Sequence, residues 1–256
     1  MTEHTLILAA DTSTRHCTVA VCRCHAAYGC ETLAQISVEQ RKLHAERLMH
    51  TMQVALDVCD LSLSSIDCLA ISIGPGSFTG LRVGAAAWKG LAFALELPLV
   101  AVPTLDAMSL LNAVSDGIVI PMIDARMDEV FGAAYRFTCG RRQKLTPDRV
   151  CAVEELLSGD YACAVPLIVL GDGAQRYRER IHALAPHACF ADLPCGVPRA
   201  DAVAREGYAL LCSGTETDAA QVAPRYLRAS QAEQTRARQA LNPTSATPTG
   251  SAIASG

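Results

Sequence analysis

The chain has 256 residues, half of them hydrophobic and 19% charged, with a formal net charge of −4. Such a composition belongs to a folded globular protein long enough for two lobes, and no apolar stretch reaches membrane-spanning length. The acidic balance offers phosphates no general attraction, because nonspecific nucleic-acid affinity depends on basic groups displacing counterions.

Residues 5–10 form a short apolar run with no basic segment before it, which reads as a first core strand and favours a cytoplasmic setting over export. The run ends at Asp11-Thr12-Ser13-Thr14 and is followed by Cys17–Cys22 and, after a turn near Gly29, Thr32–Val38. Three strands with short connections fit this pattern. From about 40 to 59 the period becomes helical, with Leu48, Met52, Ala55 and Cys59 recurring on one face that His44 begins.

The run Ile71-Ser72-Ile73-Gly74-Pro75-Gly76-Ser77-Phe78-Thr79-Gly80-Leu81-Arg82-Val83-Gly84 reads as strand, tight turn and helix, the helix continuing to about Glu96. Gly74 and Gly76 can take positive φ, and Ser77 or Thr79 can cap free N–H groups. Such a turn either holds an anion or serves only as a connection. Gly80, Gly84 and Ala87, followed by Leu91, share one face that permits a close approach, either inside the chain or between subunits. A strand at 98–102 and a helix from Pro103 to about Val114 complete a first lobe, 1–116, with Asp116-Gly117 as the boundary.

A second lobe, 117–228, opens with a buried strand at 118–124. A second strand, 129–137, pairs with it across Ala125–Asp128. Pro166–Leu170 is a strand ending at Gly171-Asp172-Gly173, a helix runs from Ala174 to about Leu184, and a last helix covers about 200–212. Residues 229–256, rich in Ala, Thr, Ser, Pro, Gly and Gln, read as a disordered tail. Most of the twelve cysteines, including Cys163 and Cys212, fall in apolar runs and read as small buried hydrophobes. A metal site from His16, Cys17, Cys22, Cys24, His25 and Cys30 lacks the paired C-x2-C spacing of structural zinc, so no metal is expected.

The segment Leu69–Leu105, with its Gly-Pro-Gly-Ser-Phe-Thr-Gly-Leu-Arg-Val-Gly centre, closely resembles the TsaB (formerly YeaZ) family. Ala10–Ser13, Ile123–Arg126 with Glu129–Phe131, and Pro224-Arg225-Tyr226-Leu227-Arg228 stand in that family's order, so the resemblance spans most of residues 5–228. It implies an α/β actin-like (ASKHA) fold of two lobes. It also implies a role in making threonylcarbamoyladenosine at position 37 of tRNAs that read codons beginning with A. The chain would act as a non-catalytic subunit without cofactor, binding and activating TsaD. TsaD transfers the threonylcarbamoyl group from threonylcarbamoyl-AMP to N6 of adenosine 37, and the TsaE ATPase joins with ATP. The chain would form a homodimer when alone and meet tRNA only through the complex.

Actin-like phosphate loops carry glycines where this chain has Thr12-Ser13-Thr14 and Ala125-Arg126, which disfavours ATP hydrolysis. Asp11, Thr12, Gly74, Gly76 and Gly171 remain the cofactor-binding candidates. TsaD carries two metal-binding histidines four residues apart; here the position four after His44 is Leu48, and His50 points about a third of a turn away. No Gly-x-Ser-x-Gly elbow, HExxH or Walker loop is present, so no catalytic residue is expected. The expected partner interface comprises His44, Leu48, Gly80, Arg82, Gly84, Ala87 and Leu91, and Gly84→Arg is expected to abolish pairing while leaving the fold intact. The competing reading is a nucleotide-dependent enzyme of the same fold, such as a TsaD-like transferase or a kinase.

Overall fold

A computed structural model describes residues 4–39, 45–112, 114–158, 161, 163–192, 196–215 and 218–228. The expected tail, 229–256, lies outside the described residues, as does His44. The first sheet contains β1 (Thr5–Asp11), β2 (His16–His25), β3 (Gly29–Glu39), β4 (Cys68–Ser72) and β5 (Leu99–Val102), in the order β3-β2-β1-β4-β5. β1, β2 and β3 pair antiparallel, while β4 and β5 run parallel to β1, so the carboxyl ends of β1, β4 and β5 share one edge.

Strand alternation divides the core of this sheet. Leu6, Leu8, Ala10, Val19 and Val21 face α1 (Ala45–Asp57) and α2 (Phe78–Leu95), where they meet Leu48, Met52, Leu56, Trp88 and Ala92. Ile7, Ala9, Ala20, Cys22, Ala70 and Val100 face the other way, against Ala200, Ala202, Val203 and Ala204 of the last helix (Ala200–Cys212). That helix follows the second sheet in the chain yet packs on the first. Trp88, the only tryptophan, is fully buried with its indole Nε1 donating to the Leu8 carbonyl at 3.4 Å. Burying so large a ring contributes a few kcal/mol, and the hydrogen bond keeps its polar edge satisfied.

The second sheet is organised by β6 (Gly117–Arg126), whose two halves pair with different strands. The expected single strand at 129–137 is two: β7 (Glu129–Gly132) lies on the second half of β6 and β8 (Tyr135–Thr138) on the first. β7 ends at Gly132, where a Cβ would collide with Leu156, and Ala133 and Ala134 join it to β8. β9 (Arg141–Lys144), β10 (Arg149–Cys151), β11 (Leu167–Leu170) and β12 (Cys189–Phe190) complete the sheet.

One face is covered by α4 (Val153–Leu156), α5 (Asp172–Arg176) and α6 (Arg178–Leu184), the expected helix at 174–184 being broken at Tyr177. The other face meets α3 (Thr104–Ser109) through Leu105 and Met108. The last helix, α7 (Ala200–Cys212), also touches α3.

Between the sheets lies a half-buried polar network. Asp106 of α3 accepts from the Tyr135 hydroxyl at 2.6 Å and pairs with Lys144 at 2.7 Å. Arg142 donates to the Asp106 carbonyl, to Ser109 Oγ and to Glu206 of α7. Burial and the Asp106 carboxylate push the Tyr135 phenol far above its ordinary range, so it is fixed as a donor. Charges shielded from water bind strongly only when fully partnered, and here three elements are tied by such pairs.

Candidate functional site

The Gly-Pro-Gly turn leads from β4 into α2 and lies against the loop after β1. Gly74-Pro75 is a cis peptide. Gly74 N–H donates to Thr104 Oγ1 at 3.0 Å, and its carbonyl accepts from Thr104 N–H at 2.9 Å. Gly76 has φ +156° and presses so closely on Ser13 that an added Cβ would overlap the Ser13 carbonyl oxygen. The same carbonyl accepts from Ser77 N–H at 2.6 Å, and Ser77 Oγ caps the helix by accepting from Gly80 N–H at 3.3 Å.

Thr12 lies one step further along α2. Its hydroxyl donates to the Gly80 carbonyl at 2.8 Å, and Cβ atoms on Gly80 and Gly84 would collide with its backbone oxygen and its Oγ1. At the start of α2 the Ser13 carbonyl thus takes the N–H of the cap residue Ser77, while the Thr12 carbonyl packs over Gly80. A helix N-terminus attracts phosphate through free N–H groups, and here Gly80 N–H is already taken by Ser77 Oγ within the chain. Asp11 is only 1% exposed and accepts from Ser13 N–H and Oγ at 2.9 and 2.8 Å. Burial raises its pKa above the ordinary carboxylate value. Asp11, Thr12, Ser13 and Gly76 thus form one packed seam, whereas Gly74 packs against Thr104 and the Arg225 carbonyl.

The second loop is built differently. Arg126, Met127 and Asp128 all have positive φ, at 61°, 54° and 60°, in the β6–β7 hairpin. Side chains rarely accept that conformation, and three in succession need external support. Asp124 Oδ1 accepts from Arg126 N–H, Arg176 pairs with Asp124 at 3.1 Å, and Arg228 donates to the Ala125 carbonyl at 2.9 Å and pairs with Glu129. Asp172 Oδ1 accepts from Asp124 N–H at 2.9 Å. Gly171, with φ +103°, sits against the Met122 carbonyl and borders a cleft shared by Thr14, Arg15, His16 and Gln175. The interior of that cleft, about 20 Å³, has room for little more than a water molecule.

Among the described residues, those expected at a partner interface lie at three depths. Leu48, Gly80 and Gly84 are buried inside the chain. Ala87 and Leu91 are half-buried and pack on the first core. Gly84→Arg would accordingly break the seam with Thr12 and is a fold-breaking change, contrary to expectation. Arg82 is exposed, with its guanidinium 4.0 Å from the Phe78 ring centroid and its Nε donating to the Tyr226 hydroxyl at 2.9 Å.

On the outer side of α2, Ala86, Gly90, Phe93 and Ala94 are exposed, Phe93 by 62%. These positions were not read from the sequence, although a helix with Arg82 and Lys89 as its only charges is apolar nearly all round. Lys89 is itself engaged, donating to the Ala220 and Val222 carbonyls.

The cysteines also depart from expectation. Cys24 and Cys30 are joined by a disulfide, and Cys139, Cys163, Cys189 and Cys212 are exposed. Cys17, Cys22 and Cys68 are buried as expected, with thiol pKa values pushed up to about 12, chiefly by burial.

Two mixed sheets flanked by helices, with the loop after β1 and the Gly171 turn bordering one cleft, define an actin-like α/β protein. Residues 31–237 match the family model described as TsaD: tRNA N6-adenosine threonylcarbamoyltransferase. The chain belongs to that family and, within it, to the TsaB (YeaZ) family. It is 27% identical over 175 residues to the tRNA threonylcarbamoyladenosine biosynthesis protein TsaB of Bacillus subtilis, covering 68% of this chain and 74% of that one. Identity to Escherichia coli TsaB is 38% over 133 residues, 51% of this chain and 54% of its relative. A crystal structure from Pseudomonas aeruginosa, described as an uncharacterized protein with similarity to peptidase YEAZ, superposes with a TM-score of 0.73 at 32% identity. That match covers 88% of this chain and all of the other. YeaZ from the same species gives a TM-score of 0.69 at 31% identity, covering 87% and all of the two chains.

Proposed function

We propose that this chain takes part in forming threonylcarbamoyladenosine on tRNA as a non-catalytic subunit that binds and activates TsaD, with TsaE and ATP joining the assembly. The observation that carries the reading is the outer face of α2, where Ala86, Gly90, Phe93 and Ala94 leave an uncharged strip in water. Exposed apolar strips of this kind favour a protein partner, and small residues let a second helix approach closely. The family relationship supports TsaD as that partner, and a partner of related fold could present a matching helix. In its absence a second copy of the chain would cover the same strip.

The burial of Asp11, Thr12 and Ser13 against Gly76, Gly80 and Gly84 supports a non-catalytic role over phosphate chemistry in this chain. The reading places the protein in the cytoplasm, with tRNA met only through the complex. Gel filtration with light scattering, on this chain alone and mixed with TsaD from the same organism, tests the pairing. A one-to-one complex replacing a homodimer is expected. A chain that elutes unchanged beside TsaD would refute the partnership, and ATP turnover by the isolated chain would support the enzyme reading instead.

A further inference from the structure

Cys24 and Cys30 stand directly opposite each other in the β2–β3 ladder and are joined by the only disulfide among the described residues. Six positions separate them, and the hairpin ladder already holds both ends together. The bond therefore adds little to what the hairpin restrains, since a disulfide stabilises most when it closes a long free loop.

The two sulfurs differ in access. Cys24 is fully buried beside Cys22 and Cys68 in the apolar cluster under α7, whereas Cys30 is half-buried and follows four exposed residues, 26–29. Neighbouring Cys22 and Cys68 are buried thiols held in the protonated form, so neither competes for exchange. Cys139, Cys163, Cys189 and Cys212 are exposed and free.

We propose that Cys24 and Cys30 form a reversible dithiol–disulfide site that exchanges with low-molecular-weight disulfides of the glutathione type. In oxidation, the Cys30 thiolate attacks one sulfur of the small disulfide, forming a mixed disulfide and releasing one small thiolate. Cys24 then gives its proton to that thiolate and attacks Cys30 Sγ, closing the Cys24–Cys30 bond and expelling the second small thiolate, which takes a proton from water. Two protein thiols lose two electrons and two protons, and one small disulfide becomes two thiols. Reduction enters at Cys30, the reachable sulfur, and expels Cys24 into an apolar pocket that disfavours a thiolate, so exchange is slow in both directions.

The test uses the full chain equilibrated across a series of glutathione/glutathione disulfide ratios, quenched with acid, alkylated and digested with trypsin. Cleavage after Arg23 leaves Cys24 and Cys30 on one peptide, so mass reads the pair directly. The expected result is a single reversible transition of this peptide from doubly alkylated to internally linked over hours, with exposed cysteines remaining alkylatable or carrying single glutathione adducts. Cys24→Ala should leave Cys30 as a mixed disulfide with glutathione, and Cys30→Ser should leave Cys24 unmodified. A pair that stays doubly alkylated at every ratio would overturn the proposal, as would linkage of Cys24 or Cys30 to another cysteine, or a linked pair that no thiol reopens.

Discussion

Gly84→Ala, Thr12→Ala and their combination test whether the Thr12 seam holds the Gly-Pro-Gly turn. The new Cβ at position 84 would collide with Thr12 Oγ1 and lie 3.3 Å from Ile71 Cδ1, so the fully buried Thr12 side chain must move. Overpacking of this kind costs about 1–3 kcal/mol, against about 1 kcal/mol gained from the helix preference of Ala over Gly. The net expectation is a loss of roughly 1 kcal/mol.

Thr12→Ala removes the hydroxyl that donates to the Gly80 carbonyl, costing about 1 kcal/mol. In the double variant the clash is gone and the helix preference remains, so its loss should be smaller than the sum of the singles by about 1–2 kcal/mol. Urea unfolding followed by the fluorescence of Trp88, which is buried on the same helix, measures all four proteins. Additivity within about 0.5 kcal/mol would refute the contact. Gly80→Ala should be worse than Gly84→Ala, because its Cβ meets the Thr12 backbone oxygen and not a side chain.

Asp11 gives a pH prediction of defined sign. Its folded pKa lies above the ordinary 3.8, so the stability it contributes is full below that value and is lost as pH rises through the folded value. Asp11→Asn should therefore gain relative to wild type as pH rises above 3.8, and a pH-independent difference in melting temperature would contradict the burial. Tyr135→Phe removes a 2.6 Å hydrogen bond to Asp106 and should cost about 1.5–3 kcal/mol in urea unfolding, without changing the denaturant slope. Arg228→Ala releases the Ala125 carbonyl and Glu129, and amide exchange at 126–128 should accelerate more than exchange in β1.

Much of the first sheet was legible because β1, β2 and β4 are nearly continuous apolar runs and the turn residues are distinctive. Ile71 to Gly84 predicts strand, turn and helix, and β4 and α2 follow with Ser77 as the cap. The direction of the glycine face was not legible. Small residues at Gly80 and Gly84 report that something approaches closely, but the approaching group is Thr12, nearly 70 residues away in the chain. The same glycines that suggested a docking surface fill an internal seam, and the exposed strip lies about a quarter-turn further round the helix.

In the second sheet, Glu129–Phe137 reads as one strand because Val130, Phe131, Tyr135 and Phe137 flank a short Gly-Ala-Ala stretch that contains no strong breaker such as proline. The split between β7 and β8 depends on which half of β6 each can reach, a tertiary matter. β9, Arg-Arg-Gln-Lys, carries no hydrophobic pattern and takes its place by pairing with β8. The Cys24–Cys30 bond depended on the register of β2 and β3, which includes a bulge at Cys22.

The claim that this chain supports TsaD through the outer face of α2 is met most directly by reconstitution. Threonylcarbamoyl transfer to tRNA would be measured with TsaD and TsaE, supplemented with wild-type chain or with Phe93→Glu. Phe93 is exposed, so the variant should keep its melting temperature within about 1–2 °C. The account predicts transfer with wild type, little or none with Phe93→Glu, and none with this chain in place of TsaD. Equal transfer with the folded variant would contradict the interface, and transfer without TsaD would contradict the non-catalytic role.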